Sequence, residues 1–424
     1  MATRNNSTLL ELAKSIQELT SQLVDELSTS GSPEPTFDVN STPIPETAPF
    51  KALQYALNDS AQDLLRLVNG PKAEARTQIC NLYDLAAWQV ACEFNFFDAV
   101  PEEGTASVEE ISKKVGVDED RLGRFLRILA TERVFEEVDP NVFRHTAKSV
   151  LHRRDRNIRD AVHYQLDEFF KATSETASSI KETPQTTNRS VNPFVSRHGM
   201  ELFQFYQNDR ARADRFASAM AGIGKMERQF EDLRDCYAWG DVSGKVVDVG
   251  GGNGHMSVAL ARTFPTLHIT VQDSLSMLSQ AMRQNLSDLA GRVTFLEHDF
   301  FDVQPITDAK AYLLRYITHN WSDQDCIRIF RAMVPALEKA APGTPFLIND
   351  IVLPEAGGEL SKYQERRMRQ IDIMMMVVLG GKQRSGKDFE RLLKEADERF
   401  HIKKIHSAGD MGLVEAVLDM ERAN

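Results

Sequence analysis

The stretch "KVVDVGGGNGH", residues 245–255, places four glycines within five positions directly behind an apolar run. Val246, Val247 and Val249 read as a buried strand, and the glycines end it. A turn without Cβ atoms lets a ligand approach the backbone closely. A P-loop would finish in Gly-Lys-Ser/Thr, so that lysine and hydroxyl reach phosphate and magnesium, but Gly254 is followed by His255 and Met256. A dinucleotide fingerprint needs the third glycine of GxGxxG, and that place holds His255 or Ser257, depending on the register. The pattern that fits is Asp-x-Gly-x-Gly-x-Gly, from Asp248 through Gly250 and Gly252 to Gly254, with Gly251 between them. A carboxylate inside the turn repels phosphate and favours an ammonium or a sulfonium.

Downstream, strands alternate with helices: "HITVQD", "VTFLEHD", "AKAYLLRY" and "TPFLINDIVL" separate helical stretches such as "DQDCIRIFRAMVPAL". That alternation predicts an α/β, doubly wound sheet of parallel strands with helices on both faces. Asp273 closes the second strand, where a carboxylate can hold two ribose hydroxyls. The third ends in Asp299-Phe300, suited to pairing an adenine amino group and covering its ring. Taken singly, each acid reads equally well as a turn former or helix cap. Three acids at successive strand ends behind a glycine turn point to one ligand, because ligands bind at this edge of such a sheet. A charged methionyl tail, a ribose and an adenine together describe S-adenosylmethionine.

Upstream the chain is helical. Leu9, Leu10, Leu12, Ile16, Leu19, Leu23 and Leu27 form the stripe of an amphipathic helix within residues 1–27. Residues 28–49 are rich in Ser, Thr and Pro and read as a linker. Within 50–160, Ser107 and Glu110 have capping-box spacing, and "VFEEVD" with "VFRHT" predicts a hairpin turning at Asp139-Pro140-Asn141. Helices followed by a hairpin make a winged-helix arrangement. Residues 161–235 read as a helical connector with a polar segment at 172–197, and 236–424 as the cofactor-binding domain.

The 424 residues are 42% hydrophobic and 26% charged, ordinary for a soluble globular protein. A net charge of −12 disfavours nucleic acid and anionic membranes. "HRRDRNIR" supplies Arg153, Arg154, Arg156 and Arg159, but interleaved Asp155 and Asp160 suggest a solvated face. Four cysteines without CxxC spacing suit free thiols and no metal site. No apolar run is long enough to span a membrane, and the N-terminus has no signal-peptide core, so a cytoplasmic location is expected.

In order and spacing, "VVDVGGGNGH", "VQD", "EHDFF", "LLRYITHNWSD", "NDIVLP" and "GGKQRS" resemble the motifs of the plant and fungal small-molecule O-methyltransferases that use S-adenosylmethionine, and most closely the fungal polyketide-tailoring members. The resemblance spans about residues 75–420. It implies a Rossmann-like methyltransferase domain, an N-terminal winged-helix dimerisation domain, a homodimer and a small hydroxylated acceptor. It also implies cofactor roles for Gly250, Gly252, Asp273, Asp299, Phe300 and Arg315, with Asp248 and Gly251 from the same turn. His319 stands where the family keeps its general base, Asp350 where a carboxylate orients it, and Gln383 at a second flanking position. Met220, Asn320 and one or more of Met374, Met375 and Met376 are expected to line the acceptor pocket, where flexible Met suits a shaped apolar cavity. Two departures stand out: Asn320 replaces the usual Asp, and Gln383 a usual Glu. Loss of that negative charge keeps open a second class, a cyclase or pericyclase that retains S-adenosylmethionine as fixed charge.

Overall fold

The computed structural model describes residues 8–422 apart from 187, 228–229, 282–285, 290, 356, 359 and 409. The chain forms two compact units. The first holds Met1–Glu175, Leu202–Arg228 and Ser361–Tyr363; the second holds Thr176–Glu201, Gln229–Leu360 and Gln364–Asn424. The connector expected at 161–235 is therefore shared between them. Its supposedly polar segment carries the helices Thr176–Glu182 and Pro193–His198, each too short to show a helical period.

In the first unit, Thr8 and Glu11 form a capping box that starts the helix Leu9–Thr29. This helix runs against Ala48–Glu93. The latter breaks at Gly70, whose φ of 67° is not helical, and restarts at Pro71, whose fixed φ and missing N–H suit a first turn. The expected hairpin forms: β2 (Phe135–Asp139) and β3 (Val142–His145) are joined by Pro140 and Asn141, and β3 also pairs with β1 (Ala106–Ser107). Helices Val108–Val115 and Glu119–Thr131 close Phe97, Ile111, Leu122, Leu126, Phe135 and Phe143 into one core. All four arginines of "HRRDRNIR" are engaged: Arg153 donates to the carbonyls of Phe97, Asp98 and Val100, Arg154 pairs with Glu102, Arg156 with Asp160 and Arg159 with Asp98.

The second unit is built on β4 (Gly244–Val249), β5 (Leu267–Asp273), β6 (Val293–Glu297), β7 (Ala311–Arg315) and β8 (Phe346–Asp350). Two short strands follow, β9 (Val352–Leu353) and β10 (Arg384–Ser385), and then β11 (Phe400–Ala408) and β12 (Met411–Leu418). Among the described residues the main sheet has the order β11-β12-β8-β7-β4-β5-β6. From β6 to β8 it is parallel, as expected; β12 and β11 extend it antiparallel. Apolar clusters lie on both faces. One gathers Val247, Leu314, Phe330, Phe346 and Phe389 against the helices Asp323–Lys339 and Gly386–Ala396; the other gathers Val246, Leu260, Ile269 and Leu313. The strand order reverses between β4 and β7, which opens a crevice beyond their carboxyl ends. Val249 pairs with Leu314, so the glycine turn and the segment after Arg315 leave the sheet side by side.

Helices Arg156–Tyr164 and Arg210–Glu227 cross at Gly222, where an added Cβ would lie 2.1 Å from the Asn157 carbonyl oxygen. Overpacking against backbone costs about 1–3 kcal/mol. Gly222→Ala is expected to lower the melting temperature by several degrees. Gly224→Ala, with nothing within 4 Å, is expected to leave it unchanged or raise it, as read by thermal unfolding.

Candidate functional site

The glycine turn takes its shape from its own hydrogen bonds. Gly250, Gly252 and Gly254 have φ of 73°, 59° and 71°, a region open to Gly at no steric cost. The N–H groups of Gly250 and Gly251 donate to the carbonyl of Gln272, at 2.8 and 3.0 Å. That of Gly252 donates to Asp273 Oδ2 at 2.8 Å, and that of Gly254 to Gly251 O. Phosphate loops present free amides to the anion; here all four are spent on β5 and on the turn itself. Close approach is nevertheless required: a Cβ on Gly250 would stand 2.7 Å from Ile317 and 3.4 Å from the Phe300 ring.

Asp248 corrects the expectation placed on it. It was expected to face a cation from within the turn, but it is buried beneath the turn, accepts the Ser257 hydroxyl at 2.6 Å and fills the space where a Cβ on Gly251 would be. Burial, with the nearby Asp273 charge adding to it, pushes its carboxyl up to about 6 despite Ser257 and Arg315. Asp273 is half-buried: one oxygen holds Gly252 N–H and the other the Ser274 N–H. Asp299 is exposed, just past β6, and caps the Phe301 N–H. Phe300 packs beside Gly250 and meets Trp321 edge-on, with ring centres 5.8 Å apart. Arg315 donates to Asn349 and lies over the Tyr316 ring. The turn, Phe300 and the end of β7 are thus one neighbourhood.

After Tyr316, whose φ of 55° is rare for a bulky residue, a 3-10 turn Thr318–Asn320 presents His319. Nδ1 of His319 meets Asp350 Oδ1 at 2.6 Å, while Asp350 Oδ2 accepts the Thr318 hydroxyl at 2.7 Å and the His319 N–H at 3.2 Å. His319 and Asp350 are 7% and 1% exposed. Burial alone would raise the Asp350 carboxyl; the His319 charge and the hydrogen bonds from His319, Thr318 and Ile351 outweigh it and hold it below the ordinary range. Asn320 donates back to the Tyr316 carbonyl.

Two arginines that sequence reasoning passed over hold this turn. Arg384, almost wholly buried, donates to the carbonyls of Thr318 and Trp321 and to Asp323. Its guanidinium, with Arg391 and Lys382, holds Asp323 at about 2 although burial opposes the shift. Arg189 donates to the Asn320 carbonyl and lies 4.2 Å over the Trp321 ring. Only the "R" of "GGKQRS" could have signalled the first; the second comes from a distant segment with no local pattern. Gly381 lies so near His319 O that a Cβ would sit 2.1 Å from it, which brings the "GGKQRS" loop onto the turn. Gln383 is 4% exposed and its backbone N–H donates to Asp372. Met375 is buried and Met376 half-buried on the helix Lys362–Leu379 of the second unit, whereas Met220 lies on Arg210–Glu227 in the first. A separate cleft of about 580 Å³, lined by Leu353, Met368, Ile405 and Met411 among others, touches neither the glycine turn nor the His319 turn.

Residues 178–398 match the O-methyltransferase domain, and residues 78–155 the O-methyltransferase dimerisation domain. The chain belongs to the O-methyltransferase family. It is an enzyme of that class, with S-adenosylmethionine as methyl donor. Among its relatives, O-methyltransferase sol2 of Alternaria solani is 46% identical, covering 99% of this chain and 97% of that protein. O-methyltransferase kk1A of Curvularia clavata is 32% identical over 98% and 97%. The crystal structure of OxaC in complex with SAH and oxaline shares the fold, with a TM-score of 0.73 at 21% identity over 96% of this chain and 100% of that one. No helix among the described residues is long and apolar enough to cross a membrane.

Asp248 yields a test of the turn. Because its folded-state pKa is raised, the native state holds the proton more tightly than the unfolded chain, whose carboxylates titrate near 4. The ionised form therefore opposes folding: the penalty sets in above about pH 4, is nearly complete above about pH 6, and is relieved as pH falls back through that window. The stability advantage of Asp248→Asn over the parent is expected to grow from about pH 4 to pH 6 and then level off, reaching on the order of 2 kcal/mol, as read from urea midpoints at each pH. A difference that stays flat with pH would contradict the buried charge.

Proposed function

We propose that this chain methylates a hydroxyl of a small aromatic or polyketide-like metabolite, with His319 as the general base. The observation that carries the reading is the buried His319–Asp350 pair, standing beside the glycine turn at the strand-order reversal. Imidazole, with an unperturbed pKa near 6.5, can take a hydroxyl proton near neutral pH. Asp350 engages Nδ1, which leaves Nε2 as the reacting nitrogen, and Arg384 fixes the carbonyls on either side. Asp350 and Arg384 are positioning residues in this account.

The donor fits the cradle that the glycines leave: Gly250, Gly251 and Gly252 along its methionyl part, Asp273 at the ribose, Asp299 and Phe300 at the adenine, and Arg315 nearby. Asp248 supports this set from below the turn. When bound, S-adenosylmethionine supplies an electrophilic methyl on a sulfonium; the carbon–sulfur bond breaks with its electron pair going to sulfur as the acceptor oxygen takes the methyl. What the protein adds is proton removal and alignment. Asn320, Met375 and Met376 are assigned to the acceptor pocket on this reading. Methyl transfer to a hydroxyl needs a proton removed, which a histidine held by a carboxylate can do, so the pair favours methyl transfer over a non-methylating cyclase.

We also assign a homodimer. Leu65, Leu67, Val68, Ile79, Leu82 and Tyr83 are all exposed on the helix Ala48–Glu93, and residues 78–155 match the O-methyltransferase dimerisation domain, so these apolar side chains are assigned to the subunit contact. Sedimentation at micromolar concentration is expected to give twice the chain mass, and a monomer would refute the assignment.

His319→Gln is expected to lower S-adenosylhomocysteine release by a factor of about 10²–10⁴ with a phenolic acceptor that the parent turns over. Binding of S-adenosylhomocysteine, followed by calorimetry, is expected to stay within about twofold. Undiminished release from the variant would remove His319 as the base.

A further inference from the structure

Gln383 is buried, and among the described residues neither its amide nitrogen nor its amide oxygen has a hydrogen-bond partner. A buried polar group left unpaired costs about 1–3 kcal/mol, and in a native structure such a group calls for a partner, whether a ligand, an ion or a water. The side chain is not adrift in a loose loop. Its own backbone N–H is held by Asp372 at 2.8 Å, its neighbour Arg384 is bonded to the carbonyls of Thr318 and Trp321, and Gly381 lies against the carbonyl of His319. The backbone around Gln383 is therefore fixed on the loop that lies against the His319 turn.

An amide differs from a carboxylate at this place in two ways that act together. It donates hydrogen bonds, whereas an ionised carboxylate only accepts. It also carries no charge, so it adds no second anion to the Asp350 carboxylate that meets the His319 ring. The other charged groups around the loop are engaged: Asp323 by Arg384, Arg391 and Lys382, Asp372 by the Gln383 N–H, and Arg189 by the Asn320 carbonyl and the Trp321 ring. Cys326, behind the Thr318 carbonyl, is kept neutral, because burial pushes its thiol up to about 12. A base with a single carboxylate is weaker, and a donor beside it stabilises a bound anion that a carboxylate would repel.

We infer that Gln383 selects an acidic acceptor, an enol or phenol conjugated to a carbonyl or similar electron-withdrawing group, and binds it as its oxyanion through the amide N–H. This rests on the methyl-transfer reading for its biological meaning, not for its test. The acceptor's proton goes to His319 Nε2 or to solvent, and the oxyanion then takes the methyl, so that anion and sulfonium become neutral ether and neutral thioether.

The test uses the full-length protein with S-adenosylhomocysteine and 4-nitrophenol, whose phenolate has its own visible absorption band. The parent is expected to bind the phenolate, with the ionisation constant of the bound phenol raised about tenfold or more over that in solution. Gln383→Glu is expected to reverse that gain. Gln383→Met, close in volume and without polar atoms, serves as the folding control; it is expected to lose the gain at unchanged or higher melting temperature. In turnover, the parent is expected to favour 4-nitrophenol and methyl 4-hydroxybenzoate over phenol, and Gln383→Glu to shift that ratio about tenfold toward phenol. The inference is overturned by 4-nitrophenol bound as the neutral phenol, by its failure to bind at millimolar concentration, or by equal ionisation in all three proteins. Phenolate binding that depends on Gln383 with no S-adenosylhomocysteine released from any acceptor would leave this inference standing and sink the methyl-transfer reading instead.

Discussion

One buried carboxylate organises the turn that carries His319. Asp350 closes β8 and accepts at once from the Thr318 hydroxyl, the His319 N–H and the His319 ring. A carboxylate so buried would neutralise itself if left alone; surrounded by donors it stays ionised and fixes both the backbone and the tautomer of the residue it serves. The turn it holds cannot relax elsewhere. Arg384 occupies the Thr318 and Trp321 carbonyls, Arg189 the Asn320 carbonyl, and Gly381 leaves no room behind His319. Removing one partner of such a set exposes the rest as unpaired buried groups, which is why these networks behave as units.

The glycine turn is organised by the opposite economy. There the backbone amides are satisfied within the turn, by Gln272, Asp273 and Gly251, and the glycines serve shape instead of charge. The two halves meet because β4 and β7 are neighbours in register while their onward connections diverge. Phe300 and Ile317, from different strands' ends, both come against Gly250. A side chain at that one position would separate the two halves.

The sheet and the turn were legible because their signals are local: apolar runs, glycines and acids at fixed offsets. The hairpin at Pro140-Asn141 and the capping box at Ser107 were readable for the same reason. Three features were not. The antiparallel β11–β12 edge lies beyond the alternating pattern and carries no helix between its strands. Asp248 was placed in the turn by its sequence position, but the strand period turns its side chain beneath the glycines toward Ser257. Arg189 and Arg384 act on carbonyls 131 and 66 residues away, and sequence has no period for contacts of that kind. Family resemblance pointed to His319 and Asp350, which the fold brings into contact, whereas the arginines that hold their turn required the fold.

The departure at Gln383 has its meaning only in that clamped setting. On a mobile loop an amide would find water or a backbone partner, and replacing Glu by Gln would change little beyond one charge. Here the loop is held on both sides of the residue, and among the described residues the amide finds no partner. Rigidity converts a conservative substitution into a change of what the site recognises. A hydroxyl that is already acidic asks less of its base, and a site with one carboxylate fewer and one N–H more is matched to that demand. The same logic explains why Asp350 is retained: orienting the imidazole is needed however acidic the acceptor, whereas raising its basicity is not.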